Sequence, residues 1–115
     1  MTIRFDPAST LLIVALEAEL PRDLAAGWQL VYSGVGKVNA AISLGDALAE
    51  FNPKTVVNYG SAGTLRPDLT GIHRVTRFMQ RDMDVRALGF GLGQTPFEDD
   101  IAIDLALPNI DIGLS

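Results

Sequence analysis

The apolar residues of this chain form short runs separated by glycine-rich breaks, with one helical segment among them. The longest run, Leu11 to Leu16, is continuous, which is typical of a strand buried on both faces of a parallel sheet. Trp28 to Tyr32 and Thr55 to Tyr59 are rich in residues that favour strands. Lys37 to Phe51 has helical spacing and ends at Asn52-Pro53. The apolar positions that share one face of this predicted helix are Val38, Ala41, Ile42, Gly45, Leu48 and Ala49.

The remaining segments have weaker patterns. Residues 1 to 10 form a polar lead-in, and Gly71 to Met79 alternates enough to predict an exposed strand. Asp82 to Pro96 is predicted to be a loop or an irregular strand, whereas Asp99 to Leu107 fits a helix or a strand equally well. Ile110 to Leu114 predicts one more strand. Together these elements predict one α/β domain over residues 1–115.

Composition narrows the classes of function. The 14 acidic residues outnumber the 9 basic ones, which are scattered, so the sequence argues against a nucleic-acid partner. The absence of cysteine excludes a disulfide, a thiolate nucleophile and a cysteine metal site, and permits a cytoplasmic location. The longest apolar run is about a third of the roughly 20 residues that a membrane span needs. We therefore expect a soluble protein without a membrane partner, metal or cofactor.

Two glycine turns follow predicted strands and are the most informative features of the chain. Ser33 to Ala41 contains Gly34 and Gly36 and leads into the helix, and Asn58 to Thr64 contains Gly60 and Gly63. A strand followed by a glycine turn presents backbone N–H groups to a polar ligand in α/β proteins. Neighbouring strands carrying both turns would therefore line one pocket.

Familiar phosphate-binding motifs do not fit these turns. Gly34-Val35-Gly36-Lys37 has one residue between its glycines where a P-loop has four, and Val38 follows the lysine in place of Ser or Thr. Gly89 to Gly93 lacks the strand-to-helix context of a dinucleotide fingerprint and is better interpreted as a flexible loop.

Glu19 and Ser61 are the candidate chemical groups. Glu17 and Glu19 follow the first strand and point to opposite faces if the strand geometry persists, so one of them faces a pocket. At the end of this strand Glu19 is a candidate general base. The alternative is that Glu19 is a solvated carboxylate in a loop, without a role in a site. Ser61 would need a histidine to act as a nucleophile, and His73 lies within a predicted strand. We therefore expect Ser61 to hold a water or a sugar oxygen, in a site that also includes Ser33 to Lys37.

Four segments of the chain resemble the nucleoside phosphorylase and nucleosidase superfamily, most closely its methylthioadenosine/S-adenosylhomocysteine nucleosidase-type members. They occur in the family's order: Ala15 to Leu20, Ser33 to Ala41, Asn58 to Gly63, and Asp82 to Phe90 with Gly93 to Pro96. The resemblance implies a three-layer sandwich around a mixed, largely parallel sheet. It also implies hydrolysis of the N-glycosidic bond of a purine nucleoside.

The resemblance assigns roles to individual residues. Glu19 would activate the attacking water and Ser61 would help to hold it. The nucleoside-binding residues would be Leu16, Gly60, Ala62 and Gly63. A loop that closes the neighbouring subunit's site would contribute Val85, Leu88, Phe90 and Pro96, which implies a homodimer.

Three functions remain open from the sequence. A carboxylate after the first strand repels phosphate, so hydrolysis is favoured over a phosphate-dependent phosphorylase. The resemblance implies that enzymes of the family are roughly twice as long as this chain, although its length is ordinary for a single domain. It also implies that they carry the catalytic acid in their C-terminal half, so the chain corresponds to the N-terminal part. A non-catalytic nucleoside-binding or assembly module is the alternative from another class.

Overall fold

The computed structural model describes residues 2–99, 102–105 and 109–111. The strands in this part are β1 (Thr2–Arg4), β2 (Thr10–Val14), β3 (Gln29–Tyr32), β4 (Thr55–Asn58), β5 (Arg77–Met79), β6 (Ala102–Asp104) and β7 (Asn109–Asp111), and the helix is α1 (Lys37–Phe51). Short 3-10 helices cover Pro7–Ser9, Arg22–Ala25 and Arg86–Leu88. By contacts the chain divides into two compact units, one formed by residues 1–67 and 109–115 and the other by residues 68–108. The single domain over residues 1–115 stays a prediction.

A parallel three-stranded sheet in the order β3-β2-β4 is the centre of the first unit. In its register, Leu12 lies opposite Leu30 of β3 and Val57 of β4. Every residue of β2 is buried, as expected for a strand with neighbours on both edges and layers on both faces. The continuous apolar run therefore predicted this strand correctly.

The two faces of the sheet are covered differently. Leu12 and Val14 point to one face and pack in a buried cluster with Leu20, Ala25 and Leu30. Because side chains alternate along a strand, Ile13 points to the other face, where α1 lies. The loop after β2 thus covers one face and the helix covers the other, in agreement with the predicted layered α/β fold.

Helix α1 has the predicted bounds but buries a different face. Gly36 caps its start, and the N–H of Asn52, which adopts the left-handed conformation, donates to the Leu48 carbonyl. The buried or half-buried positions are Ala40, Ser43, Leu44, Ala47 and Phe51. The face predicted from the larger apolar residues is exposed, Val38 by 72% and Ile42 by 61%. The buried face combines the small residues Ala40, Ser43 and Ala47 with two larger apolar ones, and the spacing of the larger apolar residues did not indicate it.

The polar lead-in contains a strand that the sequence pattern missed. β1 pairs in parallel with β7, with Ile3 opposite Ile110. A three-residue strand is too short to show a period, and its partner lies at the far end of the chain. The strand predicted at Ile110 to Leu114 is observed at Asn109–Asp111, and residues 112–114 lie outside the described part.

The second unit contains the antiparallel pair β5 and β6, in which Arg77 lies opposite Asp104 and their side chains are 3.6 Å apart. The strand predicted over Gly71 to Met79 is therefore confined to its last three residues. β6 resolves the ambiguity of residues 99–107 in favour of a strand, as far as they are described. Residues 82–96 form turns and the 3-10 helix Arg86–Leu88, so of the two predicted alternatives, a loop or an irregular strand, the loop is observed. Within the described residues, no helix is long and apolar enough to span a membrane.

Candidate functional site

The loops that carry the candidate residues leave the same edge of the sheet. Because β2, β3 and β4 are parallel, their carboxyl ends meet at that edge. The ladder continues past the strands: the N–H of Ser33 donates to the Val14 carbonyl (2.9 Å) and that of Tyr59 to the Ile13 carbonyl (3.1 Å). The two glycine turns are not on neighbouring strands, however. β2 lies between β3 and β4, so its own loop, which carries Glu19, begins between the turns.

Glu19 and Ser61 are in direct contact although 42 residues separate them. Glu19 Oε2 accepts hydrogen bonds from the Ser61 backbone N–H (2.6 Å) and the Ser61 hydroxyl (2.7 Å). Glu19 Oε1 accepts a hydrogen bond from the Leu16 N–H (3.1 Å), and the Glu19 N–H donates to the Leu16 carbonyl (3.0 Å). The carboxylate is thus held from both loops, in an orientation set by three N–H or O–H donors.

These hydrogen bonds lower the pKa of Glu19. The Ser61 N–H contributes most, then the Ser61 hydroxyl, and the Leu16 N–H adds a smaller effect in the same direction. Each donor stabilises the charged carboxylate, and this outweighs the opposing effect of desolvation. Glu19 is therefore an anion at neutral pH. An ionised carboxylate can orient a water and stabilise positive charge that develops on a nearby sugar.

A tyrosine at the end of β3 anchors the loop that carries Glu19. The Tyr32 hydroxyl donates a hydrogen bond to the Leu20 carbonyl (2.6 Å), and the Arg22 guanidinium lies 5.2 Å from the centre of the Tyr32 ring. The Leu20 side chain is only 5% exposed and belongs to the core cluster. The residue after Glu19 is thus fixed by packing and by a hydrogen bond. Tyr32 was not among the site residues predicted from the sequence, although its place directly before a glycine turn was an available signal.

The first glycine turn borders a separate cavity. This cavity, of about 320 Å³, lies between α1 and the sheet. It is lined on the turn side by Ser33, Gly34 and Gly36, and elsewhere by residues of β2, α1 and β4 that include Asn58. Glu19 and Ser61 do not line it. The structure therefore brings Glu19 to Ser61 of the second glycine turn, whereas this cavity joins the first turn to Asn58, where the second turn begins.

The other residues of the predicted nucleoside site lie within three positions of Glu19 or Ser61 along the chain. Leu16 is 47% exposed, and Gly60, Ala62 and Gly63 are exposed. Their role in binding stays a prediction. Ser61 has a carboxylate as its hydrogen-bond partner, which fits the expectation that it is not the nucleophile of a histidine-dependent triad. Within residues 2–99, 102–105 and 109–111, no group of three acidic, histidine or cysteine side chains could hold a metal.

The residues predicted to cover a neighbouring subunit's site lie in the second unit. Val85, Phe90 and Pro96 are half-buried and Leu88 is 73% exposed. The Phe90 ring makes an edge-to-face contact with Phe97, with 5.6 Å between ring centres. This segment presents apolar side chains from a turn, and its contact with a second subunit stays a prediction.

Ordered polar contacts shape the same segment. Arg86 donates two side-chain hydrogen bonds to Asp84 (2.8 and 2.7 Å), which lower the pKa of the Asp84 carboxyl. Gln94 accepts a hydrogen bond from the Gly91 N–H (2.7 Å) and donates one to the Glu98 carbonyl (2.6 Å). The turn therefore has a defined conformation of its own.

Comparison with known proteins connects this geometry to a family. A sequence model of the phosphorylase superfamily matches residues 28–109. The 5'-methylthioadenosine/S-adenosylhomocysteine nucleosidase of Staphylococcus haemolyticus is 45% identical over 69 residues, which are 58% of this chain and 30% of that protein. The Bacillus cereus protein of the same name is 37% identical over 82 residues, 68% of this chain and 36% of the relative.

A solved structure agrees with the sequence comparisons. The crystal structure of 5'-methylthioadenosine/S-adenosylhomocysteine nucleosidase from Neisseria meningitidis, in complex with methylthio-immucillin-A, superimposes with a TM-score of 0.66 and 30% sequence identity. The match covers 84% of this chain and 52% of that structure. The chain thus covers 30% to 52% of the length of these proteins. The resemblance and the phosphorylase-like fold predicted from the sequence are confirmed.

Proposed function

The chain belongs to the phosphorylase superfamily, and from this membership we propose that it is the N-terminal part of a purine nucleosidase. The proposed reaction is hydrolysis of the N-glycosidic bond in a nucleoside related to methylthioadenosine or S-adenosylhomocysteine. The names of the relatives, and the nucleoside-analogue inhibitor bound to the structural neighbour, support this substrate class.

The contact between Glu19 and Ser61 is the observation that carries the proposal. The Ser61 hydroxyl donates its proton in a hydrogen bond to Glu19. The lone pairs of the Ser61 oxygen can therefore accept a hydrogen bond from a water. Glu19 Oε1 accepts from Leu16, and a carboxylate oxygen has room for a second donor. One water can therefore be oriented by both residues, which is what an attacking nucleophile requires.

The proposed bond changes follow from this arrangement. The bond between ribose C1′ and the purine nitrogen breaks, its electron pair leaves with the purine, and C1′ gains oxocarbenium character, which the negative charge of Glu19 stabilises. The water oxygen bonds to C1′ while its proton passes to Glu19. The purine takes up a proton from an acid, which by family resemblance belongs to a C-terminal half. Backbone groups of Gly60 to Gly63, and the Leu16 side chain, would hold the nucleoside.

The charge of Glu19 supports water over phosphate as the nucleophile. Because hydrogen bonds from Ser61 lower the pKa of Glu19, its negative charge persists at neutral pH and repels a phosphate anion. A homodimer, in which Val85, Leu88, Phe90 and Pro96 of one subunit cover the site of the other, belongs to the same proposal by family resemblance.

The test is Glu19→Gln in the intact enzyme, assayed for purine release. We expect turnover to fall by about 10²- to 10⁴-fold, the usual contribution of a general base, while adenosine analogues still bind in calorimetric titration. Glu17→Gln is the matched control, since Glu17 is an exposed carboxylate two residues away, and it should leave turnover unchanged. Undiminished turnover in Glu19→Gln would overturn the proposed function.

A second candidate is a nucleoside-binding or assembly module without catalysis. Intact mass of the functional polypeptide separates the two. A mass well above 12.3 kDa, with turnover, supports the nucleosidase. Binding of an adenosine analogue without turnover, by a polypeptide of 12.3 kDa, supports the module. Turnover that requires added phosphate would instead indicate a phosphorylase.

A further inference from the structure

Gly60 lies where Glu19 reaches Ser61. A Cβ atom placed on Gly60 would be 3.0 Å from Glu19 Oε2 and 3.8 Å from Glu19 Cδ. A Cβ contact of 3.0 Å is tighter than at least nine in ten of those found in proteins, so one of the two groups would have to move. Oε2 is also the oxygen that accepts both hydrogen bonds from Ser61.

The backbone of Gly60 does not itself require glycine. Gly34 and Gly36 of the first turn have positive φ angles of 78° and 99°, which disfavour any side chain. Gly60 is not among the residues with positive φ, so alanine can adopt its conformation. What a side chain at position 60 would disturb is the space occupied by the carboxylate of Glu19.

We propose that Gly60 is a positioning residue whose missing side chain leaves room for Glu19 to accept hydrogen bonds from Ser61. Its importance for catalysis rests on the proposed function. The atom that a methyl group at position 60 would meet is the end of a flexible side chain. The fold therefore accommodates alanine there, and the carboxylate is the group that moves.

A small movement of the carboxylate would be enough to weaken the contact. Both hydrogen bonds to Oε2 are short, at 2.6 and 2.7 Å, as is typical when the acceptor is charged. Moving Oε2 a few tenths of an ångström away from a new methyl group lengthens one or both of them. Glu19 would then lose the orientation that the proposed water activation needs.

The first test is Gly60→Ala in the full chain, followed by NMR as the pH is varied. We expect the titration midpoint of the Glu19 carboxyl to rise toward its ordinary value. The pH-dependent shift of the Ser61 amide, which follows Glu19 through their hydrogen bond, should lose most of its amplitude. Gly45→Ala is the control, because a Cβ there meets nothing within 4 Å, and it should leave both titrations as in the native chain.

A second variant separates the side-chain effect from a backbone effect. In a Glu19→Ala background the carboxylate is gone, so adding Gly60→Ala should leave the amide shifts beyond the immediate sequence neighbours of residue 60 as they are in Glu19→Ala alone. If Gly60→Ala alone fails to fold, the double variant should fold and give the spectrum of Glu19→Ala apart from the neighbours of residue 60, because the obstructing side chain is absent. A native Glu19 titration in Gly60→Ala, or a double variant that stays perturbed, would overturn the proposal.

The outcome is distinguishable from that of the proposed function, since these measurements need no substrate. Undiminished turnover in Glu19→Gln would show that Glu19 is not needed for catalysis. It would not affect the inference that Gly60 leaves space for the Glu19 carboxylate. In the intact enzyme, Gly60→Ala should lower kcat because the water is misplaced, and it should leave KM nearly unchanged because alanine keeps the backbone groups proposed to hold the nucleoside.

Discussion

The two glycine turns of this protein follow parallel strands at the same edge of one sheet, yet they need glycine for different reasons. In the first turn, Gly36 has φ 99° and ψ 158°, a conformation that is essentially restricted to glycine, and a Cβ there would meet nothing within 4 Å. In the second turn, Gly60 has no positive φ but lies against the carboxylate of Glu19. Gly36 is needed for its backbone conformation, whereas Gly60 is needed because its missing side chain leaves space for the Glu19 carboxylate.

This difference separates stability from chemistry. The first turn reverses the chain from β3 into α1, so its glycines determine how well the helix begins. The second turn is not followed by a helix in the described structure, and its Ser61 donates to Glu19. A glycine after a strand is therefore not a single signal, and substitutions in the two turns should have different consequences.

The largest effect on stability is expected from Gly36→Ala. Forcing alanine into this conformation should cost about 1–3 kcal/mol in the free energy of unfolding, measured with urea. Gly60→Ala should cost less and should instead change the Glu19 titration. As a control, Gly45→Ala within α1 should stabilise the chain by about 0.5–1 kcal/mol. If Gly36→Ala were as stable as the native chain, the contrast between the turns would not hold.

Tyr32→Phe sharpens the comparison, because Tyr32 directly precedes the first turn but supports the loop that carries Glu19. Removing its hydroxyl deletes the hydrogen bond to the Leu20 carbonyl and should cost about 0.5–1.5 kcal/mol in urea unfolding. Tyr59→Phe removes the other tyrosine hydroxyl while its ring keeps packing against the same cluster, and the loss should be smaller. Equal losses in both variants would show that the anchor of the Glu19 loop lies elsewhere.

The smallest effect is a change in how stability depends on pH. Since Ser61 lowers the pKa of Glu19 in the folded chain, the stabilisation is present above the unfolded-state pKa and is lost as the pH falls through the folded-state pKa. Ser61→Ala removes the hydroxyl and keeps the backbone N–H, which lowers the pKa of Glu19 most, so it should partly flatten the loss of stability on acidification, measured by urea unfolding at a series of pH values. Arg86 lowers the pKa of Asp84, which adds a pH dependence of the same sign. The proteins with and without Ser61→Ala should therefore both carry Asp84→Asn. The same loss of stability on acidification with and without Ser61→Ala would contradict the contribution of the Ser61 hydroxyl to the pKa of Glu19.

Much of the central fold could be predicted because its signals are local. Leu11 to Leu16 marked the buried strand, and the spacing from Lys37 to Phe51, with Asn52-Pro53 after it, predicted the bounds of α1. Motifs around Glu19 and Ser61 pointed to the superfamily that the comparisons confirm. Strand β1 could not be predicted, because three polar and apolar residues acquire extended structure only through β7.

The sequence by itself determined where the three central strands, the two glycine turns and the helix lie, since hydrophobic period and glycine placement act over a few residues. Only the tertiary structure decided that α1 buries Ala47 and half-buries Ala40 while Val38 and Ile42 stay exposed, because helix packing depends on the shape of the facing sheet. The contact of Glu19 with Ser61, across 42 residues, likewise follows from the parallel order β3-β2-β4. That order places the loop after β2 beside the turn after β4, and many weak packing contacts along the strands fix it.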